Sequence, residues 1–148
     1  MTHLTKLVRY STWANEAWIA FIDEKRRSDE FLQKRISHIL HGERIWFQRI
    51  AGEPIDREIW TILDVGQQRA LLARNRELSD ACLAGDLNRI VAYTRLTGEQ
   101  YRSPVADILL HLTLHGAHHR GQMATHTSAQ GLPPINTDYV QYCLTAGL

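Results

Sequence analysis

Residues 103–134 read SPVADILLHLTLHGAHHRGQMATHTSAQGLPP and carry the signals of one long helix. Ser103 is placed to cap it, Pro104 to occupy its first position, and Asp107 to sit near the positive end of its dipole. The helix runs to about Gln130, where GLPP stops it. Five of the chain's eight histidines lie inside it: His111, His115, His118, His119 and His126. At about 100° per residue, with His111 at zero, His115, His118, His119, Gln122 and His126 fall at about 40°, 340°, 80°, 20° and 60°. All six polar side chains therefore share a stripe about 100° wide. Leu112, Leu114 and Met123 flank it, and Arg120 points the opposite way, which suggests a structural salt bridge or a subunit contact.

The same periodicity governs most of the chain. Leu4, Leu7, Ala14, Ala17, Phe21 and Ile22 place one amphipathic helix over residues 3–24, after which the charged run DEKRRSDE turns the chain. A second helix over 31–50 carries Leu32, Ile36, Ile39, Leu40, Phe47 and Ile50 inward and is closed by AGEP. Leu71, Leu72, Leu78 and Cys82 mark a third over 65–83, ending before Gly85. Residues 88–102 alternate instead, and with Gly98 they suggest a small hairpin between the third and fourth helices. A short terminal helix is expected from about Thr137. Four long helices in 148 residues predict an all-α four-helix bundle, with a single domain over 1–148.

Composition narrows the function. A net charge of +1 argues against a protein that binds nucleic acid by neutralising phosphates. No stretch approaches the roughly 18 apolar residues of a membrane span, and the first residues lack the apolar core of a signal peptide. The expected location is the cytoplasm. Cys82 and Cys143 stand alone without a C-x-x-C; two buried thiols are expected, with a disulfide left open. Trp13, Trp18, Trp46 and Trp60 read as packing residues, one of them available to wall a pocket. Gly116 and Gly121, unfavourable inside a helix, imply close helix approach.

Helical neighbours four apart lie about 5–6 Å from each other, so His115–His119 and His111–His115 could each converge on one ion. Imidazole suits divalent transition metals such as Zn and Ni, and at neutral pH most histidines are unprotonated. Two ligands make a weak site, so a third should come from another helix. SHILHGERIWF, residues 37–47, offers His38 and His41 one turn apart, and the helical wheel does not choose between them. His3 and His126 lie near ends and are poorer candidates. No HExxH is present, so the familiar helix-borne hydrolytic zinc motif is excluded. Gln122 and Glu43 are the nearest candidates for a fourth ligand or proton shuttle, although Glu43 reads more simply as a solvated partner for Arg44.

HGAHHRGQ at 115–122, preceded by LLHLTLH and followed by GLPP and TDYVQY, resembles the signature of the DinB family. HILHGERIW at 38–46 is similar to that family's second-helix motif, in which a histidine stands eight residues before a tryptophan; His38 and Trp46 keep the spacing. YSTWANEAW at 10–18 resembles its first helix. The resemblance implies a four-helix bundle with a long crossover, usually dimeric, and a three-histidine metal site. Carried over by motif, the ligands are His38, His115 and His119, with His111 and His118 lining the site. His41 stands where the family usually has a small residue, so an exchange of ligands between His38 and His41 stays open.

Three neutral imidazoles leave a divalent ion, Ni or Zn, with an open position, the layout of a catalytic site. Two enzyme readings follow: metal-assisted hydrolysis of a small-molecule substrate, and S-transfer using a low-molecular-weight thiol. The alternative is non-enzymatic, a metal-binding stress protein or a dimeric interaction module. Acid below about pH 6 is expected to release the ion.

Overall fold

The computed structural model of the chain describes residues 1–95 and 97–146. Helices α1 (His3–Lys25), α2 (Glu30–Ala51), α3 (Val65–Ala84), α4 (Val105–Ala129) and α5 (Tyr139–Thr145) dominate, with strands β1 (Ile90–Thr94) and β2 (Gln100–Pro104) between α3 and α4. Leu96, inside the expected hairpin, and residues 147–148, in the expected terminal segment, lie outside the described residues. The all-α bundle expected from periodicity is what forms.

Local chemistry sets the boundaries. The Asp29 carboxylate caps α2 by accepting the Leu32 N–H, and Gly52 closes the helix in the left-handed region at φ 71°, where a side chain would be strained. Asp64 and Gln67 form a reciprocal capping box at the start of α3. The start of α4 departs from expectation. Pro104 pairs with Ile90 in the hairpin and is itself the cap residue, with no side-chain capping bond. The Ser103 hydroxyl is held by the Tyr93 hydroxyl at 3.1 Å, so cross-strand pairing takes the group that local sequence assigned to the helix.

Cross-helix bonds fix the topology. Gln33 meets Gln68, and Leu40 and Glu43 meet Asn75, so α2 and α3 run in the same direction. Ser11 and Asn15 meet Arg120, and Val8 packs with Leu109 and Leu112, so α1 and α4 are also parallel, while His38 and Gly42 meet His115 on an antiparallel α4. The order is up-down-down-up, and residues 52–64 form the long crossover, returning along the flank of α2. Both α1 and α2 pack closely against α3 and α4. That arrangement brings the histidine stripe of α4 against α2.

The interior divides into two apolar clusters. One gathers Trp18, Ile22, Leu32, Ile36, Ile39, Leu40, Leu72 and Met123. The other gathers Val8, Phe47, Ile50, Val91, Val105, Ile108, Leu109 and Leu112. Between them lies a polar layer of Ser11, Asn15, Glu43, Asn75, Ser79, Thr113 and Arg120, all buried. Gly116 makes the close helix approach expected of it: a Cβ there would stand 3.2 Å from Ser11 Oγ on α1, and 2.7 Å from Arg120 Nη1 of its own helix. Gly121 does not, because a Cβ there would meet nothing within 4 Å. Both cysteines are free and half-buried, rather than buried or bridged. Trp18 is a packing residue, whereas Trp60 is 42% exposed on the crossover.

Candidate metal centre

His38 projects from α2 and His115 and His119 from successive turns of α4, and the three converge. One ring nitrogen from each lies within 4.8 Å of the others. Ring centroids are 5.2 Å apart for His38–His115 and 4.6 Å for both His38–His119 and His115–His119. Gly42 makes this possible, since a Cβ there would stand 3.1 Å from His115 Cε1.

Two of the rings are oriented by neighbours. His38 Nδ1 lies 3.1 Å from the Ile59 carbonyl, which can only accept, so Nδ1 carries the proton and Nε2 keeps its lone pair. His119 Nδ1 lies 2.8 Å from Gln122 Oε1 by the same logic, and the Gln122 amide then donates to His118 Nε2 at 3.2 Å. The Trp60 indole lies flat on His38, with centroids 3.8 Å apart and planes within 8°. The crossover thus supplies both a tautomer-setting carbonyl and a ring cover.

Burial holds all three imidazoles below their ordinary pKa, reinforced by mutual repulsion for His38 and His115 and by His118 for His119. His115 is pulled down to about 3. The three rings are therefore neutral at pH 7, the state that coordination of an ion would need.

Of the remaining candidates, His111 and His118 line the group as expected, with rings 5.9 Å from His115 and 5.1 Å from His119, and the others lie elsewhere. His41 Nε2 donates to the Thr61 carbonyl at 3.2 Å on the crossover and does not join the three. His111 packs edge-on against Trp46 at 5.3 Å and stands 5.9 Å from His115, lining the same seam. His118 is exposed beside Gln122. His126 stacks on Phe31 and meets Asp29 and Gln130 at the far end of α4, and His3 lies exposed at the start of α1.

Glu43 corrects the sequence reading most sharply. Instead of a solvated partner for Arg44, it is buried in the polar layer, accepting from Asn15 Nδ2 and Asn75 Nδ2 at 3.0 Å each. Burial pushes its carboxyl up to about 7 against the opposing pull of Asn75, Arg120 and Asn15. Arg120 reaches it through Asn15, donating to Asn15 Oδ1 at 2.7 Å, and also contacts the Ser11 hydroxyl at 3.3 Å. Sequence reasoning missed Asn15 and Asn75 in this layer, and Gly42 and Ile59 at the histidine group; it expected one tryptophan to be available as a pocket wall without singling out Trp60. The signal for Gly42 was its place opposite the stripe; the crossover contacts had none.

A helical bundle with three convergent neutral imidazoles between two helices defines a class of proteins that could hold a divalent ion. A family model described as DinB family matches residues 1–146, and the chain belongs to that family. No curated protein matches it.

Proposed function

We propose that this DinB protein, a single domain over residues 1–148 acting as a cytoplasmic homodimer, binds Ni or Zn through His38, His115 and His119 and catalyses S-transfer, in which the thiolate of a low-molecular-weight thiol attacks an electrophile and displaces its leaving group. The approach of one ring nitrogen from each histidine to within 4.8 Å of the others carries the reading. The donor set fits: three imidazoles, two with Nδ1 engaged and Nε2 available, suit a borderline divalent ion. Among the described residues no fourth His, Cys, Asp or Glu joins the group, which supports an open position and an enzyme over a closed structural site.

When bound there, such an ion supplies Lewis acidity that favours a thiol as its thiolate. The chain's own residues prepare for that. Ile59 and Gln122 hold the His38 and His119 rings in one tautomer, and Trp60 screens one face of His38 from water. Besides the neutral imidazoles, the charged neighbour that bears on His38 and His119 is Arg35, and no carboxylate is among the groups acting on the three rings. That environment favours an anionic reactant over a water awaiting a carboxylate base.

The test is elemental analysis by inductively coupled plasma mass spectrometry of untagged protein beside His38→Ala and His119→Ala. Near-stoichiometric divalent metal, lost in both variants, is expected, followed by thiol-dependent turnover of electrophiles. Protein that takes up neither Ni nor Zn on reconstitution would overturn the reading in favour of an interaction module. Metal with hydrolysis but no thiol dependence would overturn the transfer step alone.

A further inference from the structure

Arg35 stands one turn before His38 on α2, on the face that meets the histidine stripe. Its guanidinium carbon lies 5.0 Å from the Phe31 ring centroid and 5.4 Å from that of Trp60. Trp60 in turn lies flat on His38. The guanidinium is thus tied by aromatic contacts to the ring that covers the centre. It is half-buried, yet it makes no hydrogen bond or ion pair with any described residue. Arg26, Arg27 and Arg69 are held by aspartates, and Arg49 and Arg89 donate to backbone carbonyls; half-buried Arg44 also lacks such a partner, but among the described residues it lacks the aromatic contacts of Arg35 as well.

Charge balance sharpens the point. Three neutral imidazoles would leave a divalent ion uncompensated, and Arg35, linked to His38 through the Trp60 ring, adds a further positive charge, with Lys34 Nζ 5.8 Å from the same ring centroid. No carboxylate joins the group among the described residues. Bringing two cations together in a partly desolvated seam is unfavourable unless an anion lies between them. A guanidinium presents paired N–H donors that match a carboxylate, and aromatic contacts pre-organise it for that role.

We propose that Arg35 is the anion-recognising residue of this centre and selects substrates or thiols that carry a carboxylate near the reacting group. This rests on the three-histidine group holding a metal.

The test uses full-length protein loaded with one equivalent of Co(II), occupancy being confirmed by elemental analysis. Mercaptoacetate and 3-mercaptopropionate, each against its neutral amide, are titrated by calorimetry into wild type, Arg35→Gln and Arg35→Lys. The wild-type preference for carboxylate over amide is expected to fall at least tenfold in Arg35→Gln and to be partly kept in Arg35→Lys. Affinity for Co(II) itself should hold or rise in Arg35→Gln, because a repelling cation is removed; an aromatic clamp alone would not produce that pattern. A preference that persists undiminished in Arg35→Gln would mean that the carboxylate is held by the ion, and would overturn the proposal while leaving the metal reading intact. Wild-type protein that takes up no Co(II), Ni or Zn would overturn both.

Discussion

Glu43 makes the metal-free protein's stability depend on pH in a direction opposite to that of its histidines. Its carboxyl moves from 4.5 to about 7 on folding because burial disfavours the charged form. A folded pKa raised above the unfolded one contributes stability that is complete below the unfolded value and lost as pH rises through the folded value. At 1.36 kcal/mol per pH unit, the loss between about pH 4.5 and pH 8 is about 3 kcal/mol. The buried imidazoles act the other way. Their folded pKa values are lowered, so their contribution is complete above about 6.5 and is lost as pH falls.

A pH scan of the wild type alone would mix the two, so the measurement is a difference. Urea unfolding of wild type and Glu43→Gln, in chelator, is compared at half-unit steps from pH 4.5 to 8.5. The glutamine cannot accept from Asn15 and Asn75 at once, which imposes a roughly constant cost of about 1–3 kcal/mol. On top of that offset the wild type should lose about 3 kcal/mol relative to the variant as pH rises. At an m-value of about 2 kcal/mol/M this is a relative midpoint shift of about 1.5 M. A difference that stays flat across the range would show that Glu43 is ionised throughout, with Arg120 winning over burial, and would refute the reasoning.

Three further outcomes are expected. Gln122→Ala should weaken metal affinity about 10- to 100-fold, because His119 loses the partner that fixes its tautomer; equal affinity in a competitive chelator titration would remove Gln122 from the site. Gly116→Ala should cost about 1–3 kcal/mol in urea unfolding by pushing Arg120 off Asn15 and Ser11, whereas Gly121→Ala, facing open space, should gain up to about 1 kcal/mol of helix propensity; the reverse order would contradict the packing. Zn or Ni at about 100 times its Kd should stabilise the fold by about 2.7 kcal/mol, read as a higher melting temperature that chelator abolishes, and an unchanged melting temperature would count against a native site.

The histidine stripe was legible because helical period converts sequence spacing into angle, and the His115–His119 pair needed only that. The partner from α2 was not. His38 and His41 lie one turn apart, and what separates them is which crossover carbonyl each meets, Ile59 for one and Thr61 for the other. Those contacts join residues about twenty positions apart across an irregular segment, where no periodicity reports on direction; the motif spacing to Trp46 supplied the choice instead. Glu43 was misread for a related reason, whereas Arg120 is structural as expected but donates to Asn15 and Ser11 instead of forming an ion pair among the described residues. A charge on one helix looks solvated until its partners on two other helices are known, and Asn15 and Asn75 are invisible from α2 or α4 alone.

The glycines carried more of this information than the charges did. Gly42, beside His41 and Glu43, leaves room for the His115 ring, and Gly116, beside His115, leaves room for the Arg120 guanidinium. Each is a position where one helix admits a large polar group from the other helix or from its own next turn. The polar layer and the histidine group are therefore built at the same level of the bundle, from adjacent residues of α2 and α4. A change that shifts Arg120 should consequently be felt at its neighbour His119, so Gly116→Ala is expected to lower metal affinity as well as stability. Competitive chelator titration at a urea concentration where the variant remains folded would separate the two, and unchanged affinity would show that the layer and the metal group act independently.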